Sequence, residues 1–173
     1  MIHPRLHIFA FLLLAWPAQA LDVLVDQSVL RFTVYLGADD ISGRLTDWSA
    51  SVDFDANKIH VAVELTSATT DDPLLDVVLH SRQWLDSVAY PRAVFTSDDI
   101  DVLAAGLYQA KGTLNIKGRT VPLVVLIHSP AASTRGHHAI QAIFDRRDAD
   151  MSALADTVAP AIAISGNIRI QNQ

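Results

Sequence analysis

The sequence predicts an all-β fold: one antiparallel domain of about eight or nine strands, interrupted by a short α-helical insertion. Three observations predict it. Apolar and polar residues alternate along most of the chain beyond residue 20, turn-forming residues punctuate that alternation, and a single stretch carries helical spacing instead. An antiparallel sheet of that many strands with one apolar face must hide the face, either by closing into a barrel or by stacking as a sandwich.

The first twenty residues stand outside the pattern. "MIHPRLHIFAFLLLAWPAQA" holds one basic residue (Arg5), a nine-residue apolar run from Ile8 to Trp16, and Ala18-Gln19-Ala20. Those are the parts of a secretory signal with an Ala-x-Ala cleavage site, so residues 1–20 are expected to be a signal peptide and residues 21–173 the mature domain. The apolar run falls well short of the roughly 20 residues that a membrane span needs. Export to the bacterial periplasm is the expected localisation.

The strands follow in order. In "VLRFTVYL", Leu30, Phe32, Val34 and Leu36 share one face, against Arg31, Thr33 and Tyr35. "KIHVAVELT" sets Ile59, Val61, Val63 and Leu65 against His60, Ala62, Glu64 and Thr66. "PAIAISGNIRIQ" places Ile162, Ile164, Ile168 and Ile170 together. Further strands are expected at about 41–47, 49–54, 92–98, 106–117, 120–129 and 138–145. Asp39-Asp40, Asp55-Ala56-Asn57, Lys117-Gly118 and Arg135-Gly136 mark turns between them. The helix belongs to "DDPLLDVVLHSRQWLDS", where Leu74, Leu75, Val78, Leu79 and Leu85 have near-helical spacing; Asp72 suits the N-cap and Pro73 the first helical position. Residues 145–160 read as a loop with a helical turn.

Charge and composition exclude several functions. Removing the signal from the 173 residues leaves 153, with 12 basic and 19 acidic side chains, and the cations are scattered, so no nucleic-acid partner is expected. The chain has no cysteine, hence no disulfide, thiolate metal site or thiol nucleophile. A catalytic reading of "HSRQWLDS" also fails on geometry. His80 and Ser81 are neighbours that diverge by about 100° on a helix, and Asp86 is six positions from His80, so the three cannot share a proton. His137 and His138 point to opposite faces of a strand and make a poor ligand pair; both are expected near a strand start, exposed to water. The segment 148–159 opens like a calcium loop, yet lacks Gly at its sixth position and ends in Ala159 instead of Glu. His60 and His128 sit singly on strands, as solvated or hydrogen-bonded side chains. No metal or other cofactor is expected. What remains is an apolar interior, which either packs on itself or leaves room for an apolar ligand.

Several of these segments resemble the YceI family of secreted, polyisoprenoid-binding proteins. The likeness runs through Gly43-Arg44-Leu45 and through Ser67, Thr70, Asp76, Leu79, Ser81, Trp84, Leu85, Tyr90, Pro91, Phe95 and Ser97. It continues into Gly112, Leu114, Gly118, Thr120 and Pro122 of "GTLNIKGRTVPLVV". The resemblance implies an antiparallel, lipocalin-like β-barrel whose pore takes an isoprenoid or similar amphiphilic lipid, with the helical insertion closing one side. It also implies that Trp84 and Leu85 clamp the helix on the barrel, that Tyr90-Pro91 turns the chain out of helix, and that Phe95 enters the lumen or core. The chain departs from the family pattern where Leu75 precedes Asp76, which alters a salt bridge that the resemblance implies, and at Asp148-Ala149-Asp150-Met151, which alters the rim near the pore.

The expected function is therefore an exported, non-catalytic carrier that sequesters a long-chain lipid. Phe32, Val34, Phe54, Val61, Val63, Trp84, Phe95, Ile162 and Ile164 are the expected lining, and a one-residue error in facing would invert it. The partner is the lipid; transient membrane contact and a homodimer are both compatible with it. One alternative is a barrel enzyme acting on an isoprenoid, which needs a buried titratable group such as Tyr35, His60 or Asp76. Another is a structural or partner-binding barrel in a periplasmic redox or stress system.

Overall fold

Alternation becomes a sheet here because each strand has an apolar side to hide. The structure, a computed structural model, describes residues 21–130 and 136–170; the signal peptide expected at 1–20 and Arg135 of an expected turn lie outside the described residues. In chain order the elements are β1 (Leu21–Asp22), β2 (Val29–Leu36), β3 (Asp39–Leu45), β4 (Trp48–Asp53), β5 (Lys58–Glu64), β6 (Ala68–Thr69), α1 (Pro73–Leu79), β7 (Arg92–Ala104), β8 (Leu107–Ile116), β9 (Arg119–His128), β10 (Gly136–Asp145) and β11 (Val158–Ile170). They form one antiparallel sheet in the order β1-β4-β5-β7-β8-β9-β10-β11-β2-β3-β6.

The sheet curls into a half-barrel that wraps its apolar face around a common interior. Its two edges, β1 and β6, carry only two residues each, which leaves little unpaired backbone for another chain to extend. The curl is helped by register shifts between Ser97 and Asp99 in β7 and between Val158 and Ile162 in β11, because an extra residue on one strand bends it. The β8–β9 hairpin turns at Lys117 and Gly118, whose φ angles of 50° and 70° suit the tight two-residue turn whose twist matches the flanking strands. Pro122 sits in β9 where that strand pairs with β8 alone. The β9–β10 ladder runs only from Val125 to His128, so the missing N–H breaks no rung there.

The helix begins as its sequence requires. The Asp72 carboxylate accepts a hydrogen bond from Leu74 N at 2.8 Å and another from Leu75 N, and Pro73 occupies the first helical position. It ends at Leu79, after seven residues, so Trp84 and Leu85 lie in the turns that follow and not on the helix. Tyr90-Pro91 consequently finds the helix already finished. A second difference concerns the helical face. Leu79 is buried, whereas Leu74 is 79% and Val77 72% exposed, with Leu75 and Val78 also at the surface. The spacing is that of an amphipathic helix, but the short α1 is tied to β6 through Asp76 and buries only Leu79, leaving most of its apolar side without protein cover.

Residues 146–157 form the expected loop, with Ala149 and Met151 buried in it. Lys117 Nζ donates to the Asp150 carbonyl at 2.6 Å and so ties this loop to the β8–β9 turn, across the stretch where β9 and β10 are not paired.

Candidate functional site: an apolar cavity inside the curled sheet

The inward faces of the strands surround a cavity of about 190 Å³. That exceeds the roughly 150 Å³ of an apolar void known to stay dry and admit benzene. The interior is therefore not filled by the protein's own side chains. Phe32 and Val34 reach the cavity from β2, Val61 and Val63 from β5, Phe95 from β7, and Ile162 and Ile164 from β11; Phe54 and Trp84 complete the set. All nine expected lining residues thus meet in one place, and the facing read from alternation is correct on every strand that carries them.

Two glycines shape the wall. Gly43 stands directly opposite Phe32 in the β2–β3 ladder, and a Cβ there would lie 2.2 Å from Phe32 Cζ and 2.6 Å from the Thr69 carbonyl oxygen. At Gly112 a Cβ would meet the Thr96 carbonyl oxygen at 2.1 Å and Phe95 Cε2 at 2.8 Å. The rings of Phe32 and Phe95, two of those in the cavity wall, each rest against a residue with no side chain.

The lining is hydrocarbon with two exceptions. Trp84 Nε1 is buried without a hydrogen-bond partner. His138 is 1% exposed and lines the cavity, and neither ring nitrogen has a partner. Burial, with a smaller contribution from neighbouring His137, holds its pKa below the usual imidazole value and favours the neutral ring. This corrects the expectation that both histidines face water. His137 does, with its Nδ1 3.2 Å from Asn167 Oδ1, while His138 turns inward with Ile140, Ala142 and Phe144. The same period of two that assigned the other strands could have found it; starting the strand at 138 obscured which face that residue takes.

Arg146 was also not singled out by its sequence position. Its side chain is 1% exposed and donates to the carbonyls of Met151, Val158 and Ala159, at 3.0 Å to Val158 and 3.1 Å to Ala159. The guanidinium also covers the Trp84 ring. The residue thereby holds the 146–157 loop against the segment that closes the cavity. Such a role depends on carbonyls distant in sequence and leaves no local pattern.

The groups named for an enzyme lie elsewhere. Tyr35 and His60 are exposed on the outer face. Asp76 accepts hydrogen bonds from Thr69 Oγ1 at 2.6 Å and from Thr70 N and Oγ1, each at 2.7 Å, which hold its pKa below the ordinary carboxylate value. It serves to bind α1 to β6. His80 Nδ1 lies 3.0 Å from Ser87 Oγ, not from Ser81, and Ser87 is buried in the turn it closes. Among the described residues, His138 is the only titratable side chain in the cavity wall.

Comparison with known proteins places this architecture. The chain is similar to the "UPF0312 protein" of Pseudomonas savastanoi pv. phaseolicola, 30% identical over 124 residues that cover 66% of this chain and 65% of that relative. A protein of the same name from Shewanella baltica is 28% identical over 130 residues, covering 69% of this chain and 68% of its own. The chain thus spans about 65% of the length of the Pseudomonas relatives it matches. Among solved structures, Burkholderia cenocepacia BcnA superposes with a TM-score of 0.76 at 18% identity, over 87% of this chain and all of that one. A polyisoprenoid binding domain from Saccharophagus degradans, implicated in plant cell wall breakdown, gives 0.65 at 14% identity over 89% of this chain and 99% of its own. At those identities the likeness shows the fold. The model of the YceI-like domain matches residues 21–171, and the chain belongs to the YceI-like family.

Proposed function

We propose that the protein is exported to the periplasm and holds one long-chain isoprenoid, or a similar amphiphilic lipid, in its interior without transforming it. The observation that carries this reading is the unfilled cavity, lined by hydrocarbon from every strand from β2 to β11 and from the turn after α1. Such a site gains about 0.8 kcal/mol for each methylene removed from water and asks only for shape in return. A tail longer than the resting cavity requires the wall to yield. The flexible thioether of Met151 and the unpaired stretch between β9 and β10 are the places where it can do so at least cost.

Lipid has to enter from somewhere, and the exposed apolar strip of Leu74 and Val77 on α1, with Val88 91% exposed in the turns beyond, is suited to transient contact with a bilayer. Asp71, Asp72 and Asp76 beside it favour a neutral membrane surface over an anionic one. Organic extraction of the protein purified from its native host, followed by mass spectrometry, tests the proposal. A stoichiometric prenyl lipid supports it. Turnover of added lipid would favour the enzymatic alternative, and an empty extract from protein that also takes up no lipid would favour a structural barrel.

A further inference from the structure

Both nitrogens of His138 lack partners inside a wall that is otherwise almost entirely hydrocarbon. Buried hydrogen-bonding atoms in native proteins nearly always have a partner, and one without a partner calls for an explanation. A lone water is a poor answer, since an ordered interior water needs two to four polar partners, and the neighbouring lining side chains Ile140, Ile168 and Ile170 offer none. We propose that His138 is the polar anchor of the cavity, donating a hydrogen bond to a neutral oxygen on the head of the bound lipid or accepting one from its hydroxyl. The inference rests on the carrier reading above and adds the chemistry and orientation of the ligand.

The chemistry follows from the wall. A neutral imidazole presents one N–H donor and one lone-pair acceptor, which matches a hydroxyl or phenol in both directions and a quinone or other carbonyl through the donor. A phosphate or diphosphate head would need cations, and among the described lining residues there is no Lys or Arg. Orientation follows from the strand. His138 and Phe144 face inward six residues apart on β10, about 20 Å at 3.3 Å per residue. Trp84 is covered by Arg146, just beyond Phe144, so the second unpartnered polar atom, Trp84 Nε1, lies toward the opposite end. The lipid head seats at the His138 end and the tail runs toward Phe144 and the segment after α1.

The test uses the purified protein with three probes: geranylgeraniol, the hydrocarbon of the same carbon skeleton, and geranylgeranyl diphosphate. Affinities are measured by quenching of tryptophan fluorescence, for wild type, His138→Leu and His138→Gln. Wild type is expected to prefer the alcohol to the hydrocarbon by about tenfold, the equivalent of one net hydrogen bond, and to bind the diphosphate most weakly. His138→Leu brings the ratio of alcohol to hydrocarbon close to one, and His138→Gln, which keeps a donor and an acceptor, retains a preference. The ¹⁵N resonances of the His138 ring in wild-type protein shift with the alcohol and not with the hydrocarbon, a readout that survives if either variant fails to fold. Equal affinity of wild type for alcohol and hydrocarbon, tightest binding of the diphosphate, or an undiminished preference in His138→Leu overturns the anchor while leaving the carrier reading intact. Binding of none of the three probes by wild type overturns both.

Discussion

The guanidinium carbon of Arg146 sits 5.3 Å from the centroid of the Trp84 ring, joining the loop after β10 to the turn after α1 over one end of the cavity. The cation is 1% exposed, and its donors are spent on the carbonyls of Met151, Val158 and Ala159. Replacing it by Ala leaves three acceptors short of a donor and strips one face of Trp84, and the expected loss is about 3 kcal/mol, read from urea denaturation. Arg146→Lys should recover only part of this, because a single ammonium cannot fork to carbonyls on both sides.

Phe32 occupies the space that Gly43 vacates. Gly43→Ala puts a methyl within 2.2 Å of the ring and 2.6 Å of the Thr69 oxygen, and should destabilise the fold by about 1–3 kcal/mol. Combining it with Phe32→Leu relieves the ring clash and not the backbone one. A double-mutant cycle should therefore show a favourable coupling smaller than the single-mutant cost.

Val63 tests the hollow directly. A carboxylate introduced as Val63→Glu has no partner in a hydrocarbon wall, so the variant should retain no lipid through purification, as judged by mass spectrometry of the extract. Full lipid occupancy in this variant and in Phe95→Asp would rule out the cavity as the binding site.

The buried His138 ties stability to pH. Its pKa is depressed in the folded protein relative to the ordinary 6.5, so below that value the unfolded chain takes up a proton that the folded one resists. Stability should fall as pH drops below 6.5, and this component should vanish in His138→Leu. Denaturation midpoints of the two proteins at pH 7.5 and 5.5 provide the comparison.

The exposed side of α1 predicts a kinetic effect. Introducing Leu74→Glu together with Val77→Glu should slow lipid transfer from neutral vesicles by about tenfold or more, since each removes an apolar contact with the bilayer and adds a charge. Neither side chain borders the cavity. Unaltered transfer would mean that lipid enters elsewhere, and a change in oligomeric state instead would assign this strip to a second copy of the chain.

Much of this architecture was legible because its causes are local. Alternation in "VLRFTVYL" and "KIHVAVELT" fixed which side of β2 and β5 turns inward, since a strand has only two faces and only one of them is apolar. Asp72-Pro73 set the start of α1 through a cap that reaches two and three residues along the chain. Lys117-Gly118 fixed the hairpin for the same reason.

The remainder depended on groups far apart in the chain. Spacing could suggest that Leu74 and Leu85 share a helix; only the tertiary structure decided that α1 stops at Leu79, leaving Leu74 uncovered and sending Trp84 and Leu85 to the wall by another route. The place of His138 near a strand start reads as wet, and its burial depends on where β10 lies beside β11. Arg146 finds its acceptors 5 to 13 residues onward, in a loop whose path no periodicity encodes. By itself the sequence determined which faces are apolar, because that is a property of each segment alone. Whether those faces meet over solid packing or around a space was decided by the curl of the whole sheet, since a cavity is set by the distance between walls and not by the composition of any one of them.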